Sequence, residues 1–139
     1  MNFEKSLSEG YVRKINPDKL RAISLAKSAE ESIETGKIIP LKESSYKSIL
    51  RELYEGLRQY CEAIGFDKGY KFESHKAIVF FLRDILKENK ISDKFNRYME
   101  LRHAINYYGK DIKKETVIEA LNEVPKIIED LKKHFDYQN

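Results

Sequence analysis

At 139 residues the chain has the commonest size for one domain, long enough to hide roughly two thirds of its unfolded surface in a single core; a second domain is not expected. Apolar residues at 41%, charged residues at 35%, and only six Gly and three Pro argue against disorder and for a helix-rich globular protein with a densely charged surface. The net charge of +3 from 26 basic and 23 acidic residues is too small and too interspersed to announce nucleic-acid binding, although it permits it.

The solitary Cys61 excludes an intrachain disulfide and a cysteine-based metal site, and its apolar neighbours suit an inert core thiol. Residues 1–9 carry charge in place of an apolar signal core, and no stretch reaches the roughly 18 apolar residues of a spanning helix. A cytoplasmic protein without a membrane segment is expected.

In chain order, a short helix is expected over 3–12. Asn16-Pro17-Asp18 signals the first long helix, Asn16 capping and Pro17 fitting the first turn, with Leu20, Ile23, Ala26, Ala29 and Ile33 as a narrow inner stripe and Gly36 as the stop. After a bend at Pro40, the clearest amphipathic helix covers 43–64, with Tyr46, Ile49, Leu50, Leu53, Leu57, Tyr60, Cys61 and Ile64 at threes and fours; Gly65 ends it. The segment 65–73 reads as an irregular loop. Ser74 caps a third helix whose apolar run over 77–82, followed by Ile85 and Leu86, suits the middle of a bundle. Ser92 caps a fourth helix reaching Gly109. A fifth starts near Lys114 and carries Val117, Leu121, Val124, Ile128, Leu131 and Phe135, with Pro125 expected to bend it near Leu121. No strand pattern competes. These elements predict an all-α, antiparallel up-and-down bundle of about five helices in one domain, 1–139.

The fourth helix holds the chemistry. At about 100° per residue, Phe95, Tyr98, Met99, Leu101 and Ile105 define its inner face, with Arg102 and Asn106 at the centre. A guanidinium there needs an internal carboxylate, an escape to solvent, or a cleft open to a ligand or second subunit. Its planar fork of donors suits phosphate, so Arg102 and Asn106 mark a candidate site for phosphate or RNA. His75 reads as a first-turn surface residue, His103 as a solvated neighbour of Arg102, and His134 as a residue near the terminus; so scattered, they predict no metal site. The nine Tyr suit core and interface packing better than base stacking. Lys110, Lys113, Lys114, Lys132 and Lys133 are interleaved with acids and read as a solvated face.

The run Ser74-His75-Lys76-Ala77-Ile78 opening the third helix, Arg102 with Asn106-Tyr107 on the fourth, and the long amphipathic fifth helix together resemble the HEPN domain, the higher eukaryotes and prokaryotes nucleotide-binding domain, in its small prokaryotic members. The resemblance covers roughly 45–135, within a HEPN-like core of about 16–137. It implies a bundle of about five helices that commonly dimerises and is often encoded beside a minimal nucleotidyltransferase as a toxin-antitoxin pair. Active members are metal-independent ribonucleases that need no cofactor and carry Arg, four to six residues, then His, in a cleft at the dimer interface.

Two alignments of that motif are open. Arg97 with His103 has the spacing, yet the two stand about 120° apart on a helical wheel and Arg97 points off the apolar face. Arg102 faces inward as required, but then Tyr107 holds the histidine position, and a phenol with an ordinary pKa near 10 is a poor base at neutral pH. The expectation is therefore a homodimeric HEPN-type module that binds a nucleotide, RNA or a nucleotidyltransferase partner through Arg102, Asn106 and Tyr107. Its rival is an active ribonuclease using His103 with Arg97 or Arg102. A third reading is a purely structural bundle, which gains if Arg102 is fully paired inside one monomer.

Overall fold

Small residues decide how the first two long helices meet. In the computed structural model, which describes residues 1–138 and leaves Asn139 of the expected 1–139 domain outside the described residues, α1 covers Phe3–Ser8, α2 Lys19–Ile38 and α3 Tyr46–Lys68. Ala22, Ala26, Ala29, Ile33 and Gly36 of α2 are buried at alternating spacings of four and three, and α3 answers with Gly56. A Cβ at Gly56 would lie 2.9 Å from the Ala29 carbonyl oxygen and 2.7 Å from Ile33 Cδ1. The two helices therefore approach as closely as a missing side chain allows.

This geometry corrects three boundary expectations. Asp18, not Asn16, caps α2, its carboxylate accepting from the Arg21 amide at 3.1 Å, and Leu20, placed on the inner stripe, is 82% exposed. Gly36 does not stop α2, because it is a buried contact with Leu53 inside the helix. Nor does Gly65 end α3. That helix runs on to Gly69, whose φ of +90° closes it in the left-handed region that favours glycine.

The short helix expected over 3–12 is present but ends at Ser8, and the expected loop over 65–73 is taken up by the last turn of α3 and a strand; the strands that follow these two helices form an antiparallel ribbon. Strand β1, Val12–Lys14, pairs with β2, Tyr70–Phe72, with Val12 opposite Phe72 and Lys14 opposite Tyr70. Three-residue strands are too short to show alternation in sequence, and this pairing joins segments nearly sixty residues apart. Beneath the ribbon, Phe3 meets Tyr70 edge-on at 5.1 Å between centroids, and Phe72 meets Phe81 at the same distance.

Helix α4, His75–Phe80, starts at the expected cap, where Ser74 Oγ accepts from the Lys76 amide, and runs into one π turn over Phe81–Ile85. Helix α5 covers Asn89–Tyr108 and α6 Lys114–Leu131. Ser92 lies inside α5, not at its cap; its buried hydroxyl donates to the Val79 carbonyl at 2.7 Å and fastens α5 to α4. Pro125 sits within an uninterrupted α6. That helix ends before Phe135, which is still buried, with its carbonyl accepting from the Tyr60 hydroxyl at 2.9 Å.

Among the described residues the fold is an all-α bundle, about 73% helical, with six helices and a two-stranded ribbon. One hydrophobic cluster runs from Phe3 to Phe135 through every helix. Among the described residues, no helix is long and apolar enough to cross a membrane.

Candidate functional site

The N-terminal end of α4 and the outer half of α5 lie side by side, and the space between them is a cleft of about 600 Å³. Ser74, His75 and Lys76 form one wall; Met99, Glu100, Arg102, His103 and Tyr107 form the other. The α5 residues meet here because steps of three and four, from Met99 to Arg102 and His103 and then to Tyr107, keep one face of the helix.

Arg102 is half-buried. Its guanidinium carbon lies 5.9 Å from the ring centroid of Tyr54 on α3, and among the described residues it forms no ion pair with a carboxylate. Glu100, at the rim, accepts instead from Asn96 Nδ2 at 3.2 Å, while Lys76 Nζ donates to Asn96 Oδ1 at 2.8 Å. The cleft thus holds two cations, one carboxylate committed elsewhere, and two imidazoles.

Those imidazoles differ. His75 is half-buried, with Nδ1 2.9 Å from the Tyr54 hydroxyl. Burial first, then the guanidinium groups of Arg58 and Arg102, push its pKa below the ordinary 6.5, with Glu55 opposing. His75 is therefore neutral at pH 7. Tyr54 is kept a phenol chiefly by its own burial, against the nearby arginines. Arg58 is itself held by Glu55 and Glu62. His103 is exposed, its ring 4.5 Å from that of Tyr107 and 5.8 Å from that of Tyr108.

The structure separates the residues that sequence reasoning grouped. Arg97 makes a two-pronged contact with Glu119 of α6 at 2.9 and 3.2 Å and lines a different hollow with Lys110 and Ile112. Arg97 and His103 do not converge, as helical phase required. Asn106 is exposed, not central to the inner face, and its Oδ1 accepts from Arg51 Nε on α3 at 2.9 Å. Of the expected binding trio, Arg102 and Tyr107 share the cleft and Asn106 lies outside it. His134, remote from the cleft, bonds Glu88 at 2.8 Å.

Sequence reasoning missed Tyr54, and it took His75 for a surface residue. The one available signal was the position of His75 directly after the Ser74 cap; Tyr54 sits among the apolar residues of α3 and shows no polar signal at all.

No known family model matches the chain, and no curated protein matches it. Among the described residues, no three or more His, Cys, Asp or Glu side chains gather to hold a metal ion. Chemically, the cleft offers Arg102 and Lys76 as hydrogen-bond donors to an anion, a neutral His75 as proton acceptor, and an exposed His103 tilted against the Tyr107 ring.

Proposed function

We propose that the chain is a HEPN-type module that binds RNA or a nucleotide through the α4–α5 cleft, with the phosphate on Arg102. The observation that carries this reading is a half-buried guanidinium, in a cleft shared with Lys76, that among the described residues meets no carboxylate. Such a group is partly desolvated and has no carboxylate partner among the described residues, and a phosphate oxygen pair fits its donor fork. Tyr107, 70% exposed beside His103, offers a face for an unstacked base. A homodimer, and a minimal nucleotidyltransferase as partner in a toxin-antitoxin pair, follow from the resemblance over 45–135.

The test is fluorescence anisotropy with a labelled single-stranded decaribonucleotide. Arg102→Ala should weaken binding by about tenfold or more, and Arg97→Ala, whose charge is already matched by Glu119, by less than about twofold. Equal losses in the two variants would reject the cleft as the binding site.

A second reading, a metal-independent ribonuclease, is favoured by one observation: His75 and His103 line the same cleft as Arg102. In that reaction the ribose 2′-hydroxyl attacks the adjacent phosphorus and gives its proton to a neutral imidazole. The 5′-oxygen leaves with a proton from a protonated imidazole, and the products are a 2′,3′-cyclic phosphate and a 5′-hydroxyl. Arg102 would stabilise the charge on the phosphorane. Incubation of RNA with the protein and a chelator decides: cleavage lost in both His103→Ala and Arg102→Ala supports this reading, and an intact substrate removes it.

A further inference from the structure

A second hollow of about 240 Å³ lies around the corner of α4 from the cleft, and the two share Ser74 and Lys76 as a common wall. Its floor is apolar, formed by Ala77 and Phe80 of α4, and Tyr11 from the turn before β1 closes one side at 46% exposed. Ser6 of α1 also lines it. That residue is 1% exposed, and its hydroxyl has no hydrogen-bond partner among the described residues. Lys76 stands at the junction, its ammonium 5.8 Å from the Phe80 ring centroid.

A buried hydroxyl without a partner costs stability unless a ligand or water satisfies it. The chemistry of the hollow narrows the occupant. A phosphate would find Lys76 and Ser74 on one wall but apolar Ala77 and Phe80 on the floor, and an aliphatic side chain would leave Ser6 unsatisfied. A flat ring with apolar faces and a polar edge satisfies both the walls and the hydroxyl, and Lys76 links such a ring to an anion in the neighbouring cleft.

We propose that this hollow is a nucleobase subsite, in which a base packs between Tyr11 and Phe80, turns its polar edge to Ser6, and leaves its phosphate beside Lys76 and Arg102. The inference rests on the phosphate-binding reading of the cleft and adds the recognition of a base. Nothing in it requires cleavage. Tyr11 supplies stacking area, and Ser6, able both to donate and to accept, tolerates more than one base edge.

The experiment compares a labelled oligoadenylate decamer with a decamer of the same ribose-phosphate backbone lacking bases. The adenylate should bind at least about tenfold tighter, the increment of one well-stacked base. In a Tyr107→Ala background, which removes the other exposed ring offered to a base, Tyr11→Ala should remove most of that gap while leaving affinity for the abasic decamer unchanged. Ser6→Ala should narrow the gap by a few fold with no loss of thermal stability, because the hydroxyl it deletes has no partner among the described residues.

If both decamers bind equally and both depend on Arg102, the base subsite is overturned and the phosphate reading stands. If neither decamer binds, the phosphate reading itself fails and the subsite with it. A gap that survives both Tyr11→Ala and Ser6→Ala means that bases are read elsewhere, and it overturns the assignment.

Discussion

His75 is the histidine whose pKa the surroundings shift downward. It faces the Tyr54 hydroxyl, the guanidinium groups of Arg58 and Arg102, and the Glu55 carboxylate that opposes them. Because its pKa in the folded protein lies below the ordinary 6.5, the unfolded chain takes up the proton first. Stability present above the unfolded value is therefore lost as pH falls through it towards the folded value. Thermal melts should show the midpoint dropping as pH goes from about 7.5 to about 5, and His75→Gln should flatten the profile in that window. The carboxylates of Asp84 and Glu88, which hydrogen bonds hold below their ordinary range, titrate lower and leave the window clear. For Glu88, the bonds from Lys133 and His134 outweigh the upward push of burial. An NMR titration offers a second check: Arg102→Ala should raise the pKa of His75, and an unmoved value would mean the two do not share a field.

At the same scale, the inner-face assignment succeeded only in part. Phe95, Tyr98 and Ile105 are buried as the helical wheel required, whereas Asn106, one step beyond Ile105, turns out to meet Arg51. A wheel ranks positions by angle. It does not know where the neighbouring helix ends, and near Tyr107 and Tyr108 the bundle no longer covers α5. The buried tyrosines follow a simpler rule. Tyr54, Tyr60 and Tyr98 each bury the ring and find a partner for the hydroxyl, in His75, the Phe135 carbonyl and Glu123.

Among the elements, the α2–α3 pair is the most exacting, and two of its glycines differ in kind. At Gly56 an added methyl meets the backbone oxygen of Ala29 at 2.9 Å, which cannot swing away. At Gly36 the nearest atom is Leu53 Cδ2 at 3.0 Å, the end of a side chain and not backbone. Gly56→Ala should lower stability by about 1–3 kcal/mol through overpacking. Gly36→Ala should stay within about 1 kcal/mol of wild type, since the helix gains roughly 0.5–1 kcal/mol from losing a glycine. Urea denaturation of both variants measures the difference, and equal costs would contradict the close approach at Gly56. The same pair explains why the expected helix ends were early. In sequence a glycine reads as a stop, yet Gly36 and Gly65 lie inside helices because Leu53 and the Phe72 ring occupy the space a side chain would take.

For the molecule as a whole, one hydrophobic cluster takes in residues from every helix, so no element has a separate core to unfold on. The tyrosines buried in that cluster report tertiary packing. Unfolding followed by far-UV circular dichroism and by tyrosine fluorescence should therefore give coincident transitions. Two separated transitions would mean that the N-terminal segment with its ribbon, or the α5–α6 corner, unfolds on its own.

The long helices were legible because their signal is local. In α3 and α6 the apolar residues recur within a few positions of one another, and burying that stripe is the chief gain either helix makes on folding. Composition and the spacing of Ala and Ile on α2 likewise pointed to an all-α bundle before any contact was known. The ribbon, the hollow at Ser6 and the cleft at Arg102 come from convergence instead. Val12 meets Phe72, His75 meets Tyr54, and Ser6 comes to line the same hollow as Lys76, only once the helices have packed. Periodicity records which face of an element is buried and is silent on what that face will meet. For that reason α5 could be drawn from its own residues, and the surroundings of Arg102 had to wait for α3 and α4.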